Sequence, residues 1–287
     1  MWAALEWGGM PETLVSAAEL ASHLADPGWR TFDCRHDLVK TALGAEGYAN
    51  GHIAGAVFAH LDRDLSAPRS GSNGRHPLPE PERFAAWLGK QGLRASDQVV
   101  CYDAGGGTMA ARLWWLLRWI GHPSAAVLDG GYARWIAERH PVTKDVQRFA
   151  ATTYRPATRP ELALDATRVA RERAQLVLVD ARAPARFRGE TEPIDPVAGR
   201  IPGARNRFCN ENLAADGGFK EPAALRAEFG TLLHGRAPSE VVHYCGSGVA
   251  ACHNALAMEV AGLPGSRVYP GSWSEWIADP RRPRETG

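Results

Sequence analysis

The chain has 287 residues, 45% of them hydrophobic and 20 of them proline, enough for two ordinary domains each with its own core. Its 33 basic and 32 acidic residues leave a net charge of +1 and are spread along the sequence, which excludes a basic field for nucleic acid or a membrane surface but leaves room for a local patch that binds a small anion. Five scattered cysteines (Cys34, Cys101, Cys209, Cys245 and Cys252) without a C-x-x-C pair argue against a disulfide framework and a structural zinc site, and no metal or organic cofactor is implied.

The opening stretch "MWAALEWGGMPETLVSAAEL" lacks a basic segment followed by a long apolar run, so no secretory signal is expected and a reducing cytoplasm is the expected location. Met10 is an alternative start, since "MPETLVSAAEL" reads as a natural beginning. Further on, "MAARLWWLLRWIG" is the most apolar stretch, but Arg112 and Arg118 interrupt it and it is too short to span a bilayer. It predicts a buried helix. The segment from Pro141 to Pro160, rich in Pro, Thr and charge, has no periodicity and predicts a linker.

Internal repetition organises the rest. "FDCR" at Phe32–Arg35 returns as "VDAR" 147 residues later, and "GHIAGA" from Gly51 as "GRIPGA" 148 later. "VVCYDAGGG" from Val99 lines up with "VVHYCGSGV" 142 later, and "GGYARW" with "GSWSEW" 141 later. Four landmarks in the same order at nearly constant offset identify a tandem duplication. In the second half, Leu176 to Ala181, Ala204 to Phe208, Val241 to Tyr244 and Ser266 to Tyr269 are short apolar runs that predict strands of a mostly parallel, two-face-covered sheet. Pro222 to Leu233 and Val249 to Ala261 predict helices between them.

The segment "VVHYCGSGVAACHNALAME" places Cys245 where a buried strand gives way to a helix. Gly246-Ser247-Gly248 then forms a tight turn, and its amides, with that of Val249, can converge on one centre at a helix N-terminus. Such a place favours negative charge and hence the thiolate, which makes Cys245 a candidate nucleophile rather than an inert buried thiol. Cys252, on the following helix without such a turn, is expected in the core.

These features resemble the rhodanese family, specifically its tandem-domain sulfurtransferases. The resemblance rests on "DAR" followed by "RFRGE", on "EPIDPVAGRIPGA", on "CGSGVAA" and on "YPGSWSEW", and it spans nearly the whole chain. It implies an α/β fold of two rhodanese-like domains, each a mostly parallel sheet flanked by helices. The expected division is a catalytically silent domain over 11–140, a linker over 141–160 and a catalytic domain over 161–287. Cys245 would accept a sulfane sulfur as a persulfide and pass it to a thiol or cyanide, whereas the first loop carries Asp103 at that place.

Thiosulfate-type loops of the family carry cationic side chains directly after the cysteine, where this chain has Gly246 and Ser247. The neutral loop resembles the 3-mercaptopyruvate type, in which a loop serine works with a histidine and an aspartate of the first domain. Ser247 matches the serine, and "HLDRD" and "GRHPLP" supply Asp62 and His76. Arg186 of "ARFRGE" matches the family's substrate arginine. Arg182 is read first as a structural salt bridge at the strand end, and is also placed with the donor-binding residues. A second carboxylate-binding arginine is missing from "EPIDP". Arg200 and Ala250 also depart from the pattern.

Two other readings bear on the same residues. A phosphatase of the C-x5-R type would need an arginine six residues after Cys245, where Ala251 stands. A sulfur-relay protein would use the same Cys245 to load a protein acceptor. The expected partners are a small anionic sulfur donor and a thiol or cyanide acceptor, with a protein acceptor left open and neither nucleic acid nor membrane involved.

Overall fold

The computed structural model describes residues 13–287; the alternative start at Met10 and the first residues of the expected domain 11–140 lie outside them. Among the described residues, seven strands fall in the first part of the chain: β1 (Leu14–Val15), β2 (Trp29–Asp33), β3 (His52–Ile53), β4 (Val57–Phe58), β5 (Gln98–Tyr102), β6 (Ala125–Leu128) and β7 (Val142–Thr143). Four follow: β8 (Val177–Asp180), β9 (Arg205–Asn206), β10 (Val241–Tyr244) and β11 (Arg267–Val268).

The first sheet has the order β1-β6-β5-β2-β4 and the second β11-β10-β8-β9, and every pairing in both is parallel. They superimpose in topology, β5 with β10 and β2 with β8. The counterpart of β1 is reduced to a single parallel bridge from Ala163 to Val268. All residues of β8 and β10 are buried, as apolar strands covered on both faces must be. The predicted helix over Pro222–Leu233 forms as expected, with Pro222 in its first turn. Strand ends are shorter than the apolar runs: Ala204 to Phe208 contracts to β9, because the Arg207 N–H turns to the Asp180 carbonyl and a 3-10 turn starts at Cys209.

The expected linker is more structured than its composition suggests. β7 pairs antiparallel with β3, and the N–H groups of Thr152, Ala157 and Arg159 donate to the carbonyls of Gly89, Ile120 and Trp119. It is a strap laid along the first domain. Besides these backbone bonds, Tyr154 enters the core and meets His122 at 2.9 Å, and Phe149 lies under Arg30, isolated anchors that set no periodicity.

The two halves share a core. The helix Thr108–Trp119, which contains the apolar stretch noted in the sequence, packs against its duplicate Val249–Val260. One apolar cluster runs through both, with Leu113 and Leu117 beside Ala251, Cys252, Ala255 and Leu256. Arg118 and Glu259 close its edge at 3.2 Å. Since these helices follow β5 and β10, their packing brings the C-terminal ends of both central strands, and the loops they carry, to one junction. That is where open parallel sheets place their ligands.

Candidate active site

β10 ends at Tyr244 and the next helix starts after Gly248, so the buried Cys245 sits between a strand end and a helix N-terminus. The amides of Gly248 and Ser247 donate to Cys245 Sγ at 3.1 and 3.4 Å. Those of Gly246 and Val249, also expected in the cradle, are not among the donors to the sulfur. Gly248 has φ +80°, and a Cβ there would run into the Pro270 carbonyl, so the turn requires glycine.

A second segment braces the loop. Trp273 N–H donates to the Cys245 carbonyl at 2.9 Å and Ser274 N–H to that of Gly246 at 3.0 Å. The Cys245 N–H donates to Ser272 Oγ at 3.0 Å. Ser272 holds a left-handed φ of +55°, where its duplicate is Gly131 with φ +59°. A non-glycine residue is strained there, but its hydroxyl accepts the Cys245 amide. Sequence reasoning missed Ser272, although its alignment with a glycine is the trace it leaves.

The first loop shows what such a cradle holds. Asp103 accepts the amides of Gly105, Gly107, Met109 and Ala110 at 3.0, 3.1, 2.7 and 3.2 Å. Its helix cap is Gly107, four residues on, whereas Cys245 lies three before Gly248. Burial pushes the Asp103 carboxyl up, against the pull of the four amides.

The sequence-predicted relay comes together across the domain junction. His76 Nδ1 lies 2.8 Å from Ser247 Oγ, and His76 Nε2 lies 3.4 Å from Asp62 Oδ1. Arg69 also binds that carboxylate at 2.9 Å. Far from being a surface histidine, His76 is buried; burial first, and then the charge of Arg112, hold it down at about 3. It is therefore neutral at physiological pH. Arg112, fully buried, reaches the carbonyls of His76 at 3.2 Å and Gly248 at 3.5 Å, tying the two domains beneath the loop. It too escaped the sequence reading, hidden in an apolar helix.

His36, His60 and Asp62 place ligand atoms within 4.8 Å of one another. However, His60 Nδ1 faces the amides of Asp62 and Arg63 as acceptor, so its other nitrogen carries the proton and is not free to ligate a metal.

Two arginines expected to meet the donor behave differently. Arg182 is buried and directs its guanidinium to Asp180 (2.6 Å), Glu192 (3.2 Å) and the Gly199 carbonyl (2.7 Å). The first domain repeats this with Arg35, Asp33 and the Gly51 carbonyl. An arrangement kept in the domain whose loop carries Asp103 in place of the cysteine is structural, so the salt-bridge reading of Arg182 is kept and its placement with the donor-binding residues is corrected. Arg186 pairs with Glu192 at 2.6 Å and Asp195 at 3.3 Å and stands beside Gly246. Arg75, unremarked in the sequence, joins it from the first domain and also binds Asp195.

Matching parallel sheets, with a thiol in only the second of two equivalent anion cradles, define a duplicated α/β protein equipped for covalent transfer through cysteine. The Rhodanese-like domain model matches residues 16–138 and 165–279. The chain belongs to the rhodanese family and is a sulfurtransferase.

It is 49% identical over 278 residues to a probable 3-mercaptopyruvate sulfurtransferase of Pseudomonas aeruginosa, covering 96% of this chain and 98% of that one. With a putative thiosulfate sulfurtransferase of Mycobacterium tuberculosis it shares 37% over 281 residues, 95% of this chain and 96% of the other. The solved structure of a 3-mercaptopyruvate sulfotransferase from Escherichia coli aligns with a TM-score of 0.79 at 30% identity, over 91% of this chain and 99% of that one.

Proposed function

We propose that the second domain is the catalytic one and that its donor is 3-mercaptopyruvate. The observation that carries this reading is the 2.8 Å contact between Ser247 Oγ and His76 Nδ1 beside Cys245.

The chemistry separates the two donors. With 3-mercaptopyruvate, the Cys245 thiolate attacks the donor's sulfur, an S–S bond forms and the C–S bond breaks with its electron pair going to the carbon. To finish as pyruvate and an enzyme persulfide anion, the thiol proton must move from sulfur to that carbon. Ser247 is placed to take it as its own proton passes to the neutral His76, and the chain runs back to protonate the carbon. Because burial disfavours the imidazolium, His76 holds the proton only briefly. Asp62 keeps the ring in the tautomer whose Nδ1 accepts. With thiosulfate, sulfite leaves with its electron pair and no proton moves, so the relay would have no task.

The amides of Ser247 and Gly248 would stabilise the thiolate and then the persulfide sulfur. An acceptor thiolate or cyanide attacks the terminal sulfur and returns Cys245, a two-step exchange with ping-pong kinetics. The first domain, over 11–140, is catalytically silent in this reading because a carboxylate fills its cradle, and 161–287 carries the chemistry beyond the 141–160 strap. No helix among the described residues is long and apolar enough to cross a membrane. A cytoplasmic location is supported by five cysteines all buried as free thiols.

The test is sulfur transfer from 3-mercaptopyruvate and from thiosulfate, assayed side by side on the wild type, Cys245→Ser and Ser247→Ala. A kcat/KM advantage for 3-mercaptopyruvate that is lost in both variants supports the proposal; an advantage for thiosulfate that survives Ser247→Ala refutes the donor assignment. A relay role is read out by replacing cyanide with a protein thiol acceptor.

A further inference from the structure

A cationic donor site needs more than one guanidinium to hold a small anion against water, yet the loop after Cys245 carries no charge and "EPIDP" has no arginine. The fold answers from the other domain. Arg75 Nη2 lies 2.6 Å from where a Cβ on Gly246 would stand, and Arg186 Nη2 lies 3.4 Å from the same point. Any side chain at Gly246 would therefore meet the Arg75 guanidinium.

Arg75 is anchored rather than adrift. Its N–H donates to Ser274 Oγ at 3.0 Å, in the segment that braces the catalytic loop, and its Nη1 donates to Asp195 Oδ1. Nη2, the nitrogen nearest the loop, makes no hydrogen bond. The same Asp195 carboxylate takes Arg186 Nη2 on its other oxygen at 3.3 Å. Asp195 is buried, while Arg75 and Arg186 are 23% and 17% exposed. One buried carboxylate thus holds two guanidinium groups side by side, each reachable from solvent, in front of Gly246.

We propose that Arg75 is a donor-binding residue of the sulfur-transfer reaction, supplied across the domain junction in place of the cationic side chain that the loop lacks, and that it grips the donor's anionic end together with Arg186. Two guanidinium groups on one small anion give the paired, charge-assisted hydrogen bonds that carboxylates and other oxyanions prefer. The consequence for specificity is that a neutral loop does not mean a neutral site. The inference rests on Cys245 being the sulfur acceptor, not on which donor is used.

The experiment is steady-state kinetics of Arg75→Ala with 3-mercaptopyruvate and with thiosulfate. Loss of a charge-assisted contact predicts a KM raised ~10-fold or more for whichever donor the wild type turns over, with kcat changed less than about 3-fold. An unchanged KM overturns the proposal. Arg75→Gln keeps the stem and an amide for Asp195 without the charge, and is read in its place if Arg75→Ala does not fold.

The double variant Arg75→Ala/Asp195→Asn separates contact from charge balance. If Arg75 only neutralises Asp195, removing the acid restores KM and the proposal fails; if Arg75 holds the donor, KM stays high. Failure of the Cys245 reading would show separately, as transfer that survives Cys245→Ser.

Discussion

Asp103 and Cys245 stand at the same point of two duplicated loops, each at the end of a central strand and each receiving backbone amides through its side chain. The first loop keeps a fixed carboxylate where the second keeps an ionisable thiol. Asp103→Ala would leave four amides without an acceptor, and for the two that are buried, of Gly107 and Ala110, the cost is roughly 1–3 kcal/mol each before relaxation. We expect a stability loss on the order of 3–5 kcal/mol in urea unfolding, with kcat nearly unchanged in the folded fraction. A midpoint equal to wild type would mean that the first cradle is not a structural element.

Ser247→Ala removes the hydroxyl that faces His76 Nδ1 but none of the loop amides. Turnover of 3-mercaptopyruvate should fall by roughly 100-fold, as for loss of a proton-transfer group, while thiosulfate turnover stays within about 3-fold of wild type. Equal losses with both donors would assign the serine to loop shape instead of proton transfer.

Gly248→Ala combines a left-handed φ of +80° with a Cβ directed at the Pro270 carbonyl. The strain should cost about 2–4 kcal/mol, and displacing the Gly248 amide from Cys245 Sγ should lower kcat by at least about 10-fold. Thermal melts and kinetics on the same preparation measure both; normal activity would show that the amide is not needed.

Four buried histidines are held neutral by burial: His76 and His243 at about 3, His253 at about 4, and His122 below its ordinary value. In the unfolded chain each returns to roughly 6.5, so between the folded and unfolded values the unfolded state binds more protons. Stability therefore rises with pH through this window and is lost as pH falls below about 6.5. By pH 5.5 the loss is about 1.4 kcal/mol for each of His76, His243 and His253, or roughly 4 kcal/mol together, and His122 acts in the same direction. Urea midpoints at pH 7.5 and 5.5 test it, and a flat profile would mean that these rings take up protons in the folded protein.

The duplication, the parallel α/β class and the strand-to-helix placement of Cys245 were legible in the sequence, because each is carried by short runs: apolar strands, a Gly-rich turn and the landmarks that repeat it. Ser247, His76 and Asp62 could be nominated only by resemblance; nothing local distinguishes His76 from a loop histidine. The strap over 141–160 was opaque because it is held by backbone hydrogen bonds and a few isolated side chains such as Phe149 and Tyr154, which form no periodic pattern. Arg182 kept two readings, the salt bridge first, because an arginine two residues after a strand-end aspartate has the same local signature whether it grips a substrate or closes a salt bridge; the identical pair at Arg35 and Asp33 favours the salt bridge.

By itself, then, the sequence determined which loop can hold a nucleophile and which cannot, since thiol against carboxylate is a matter of residue type within one turn. What surrounds that thiol was decided by tertiary structure alone. Packing of the helix Thr108–Trp119 against Val249–Val260 brings His76 to Ser247, Arg112 beneath Gly248 and Arg75 in front of Gly246. Those partners are more than a hundred residues apart, and their meeting depends on how two apolar helix faces fit together, which no local pattern records.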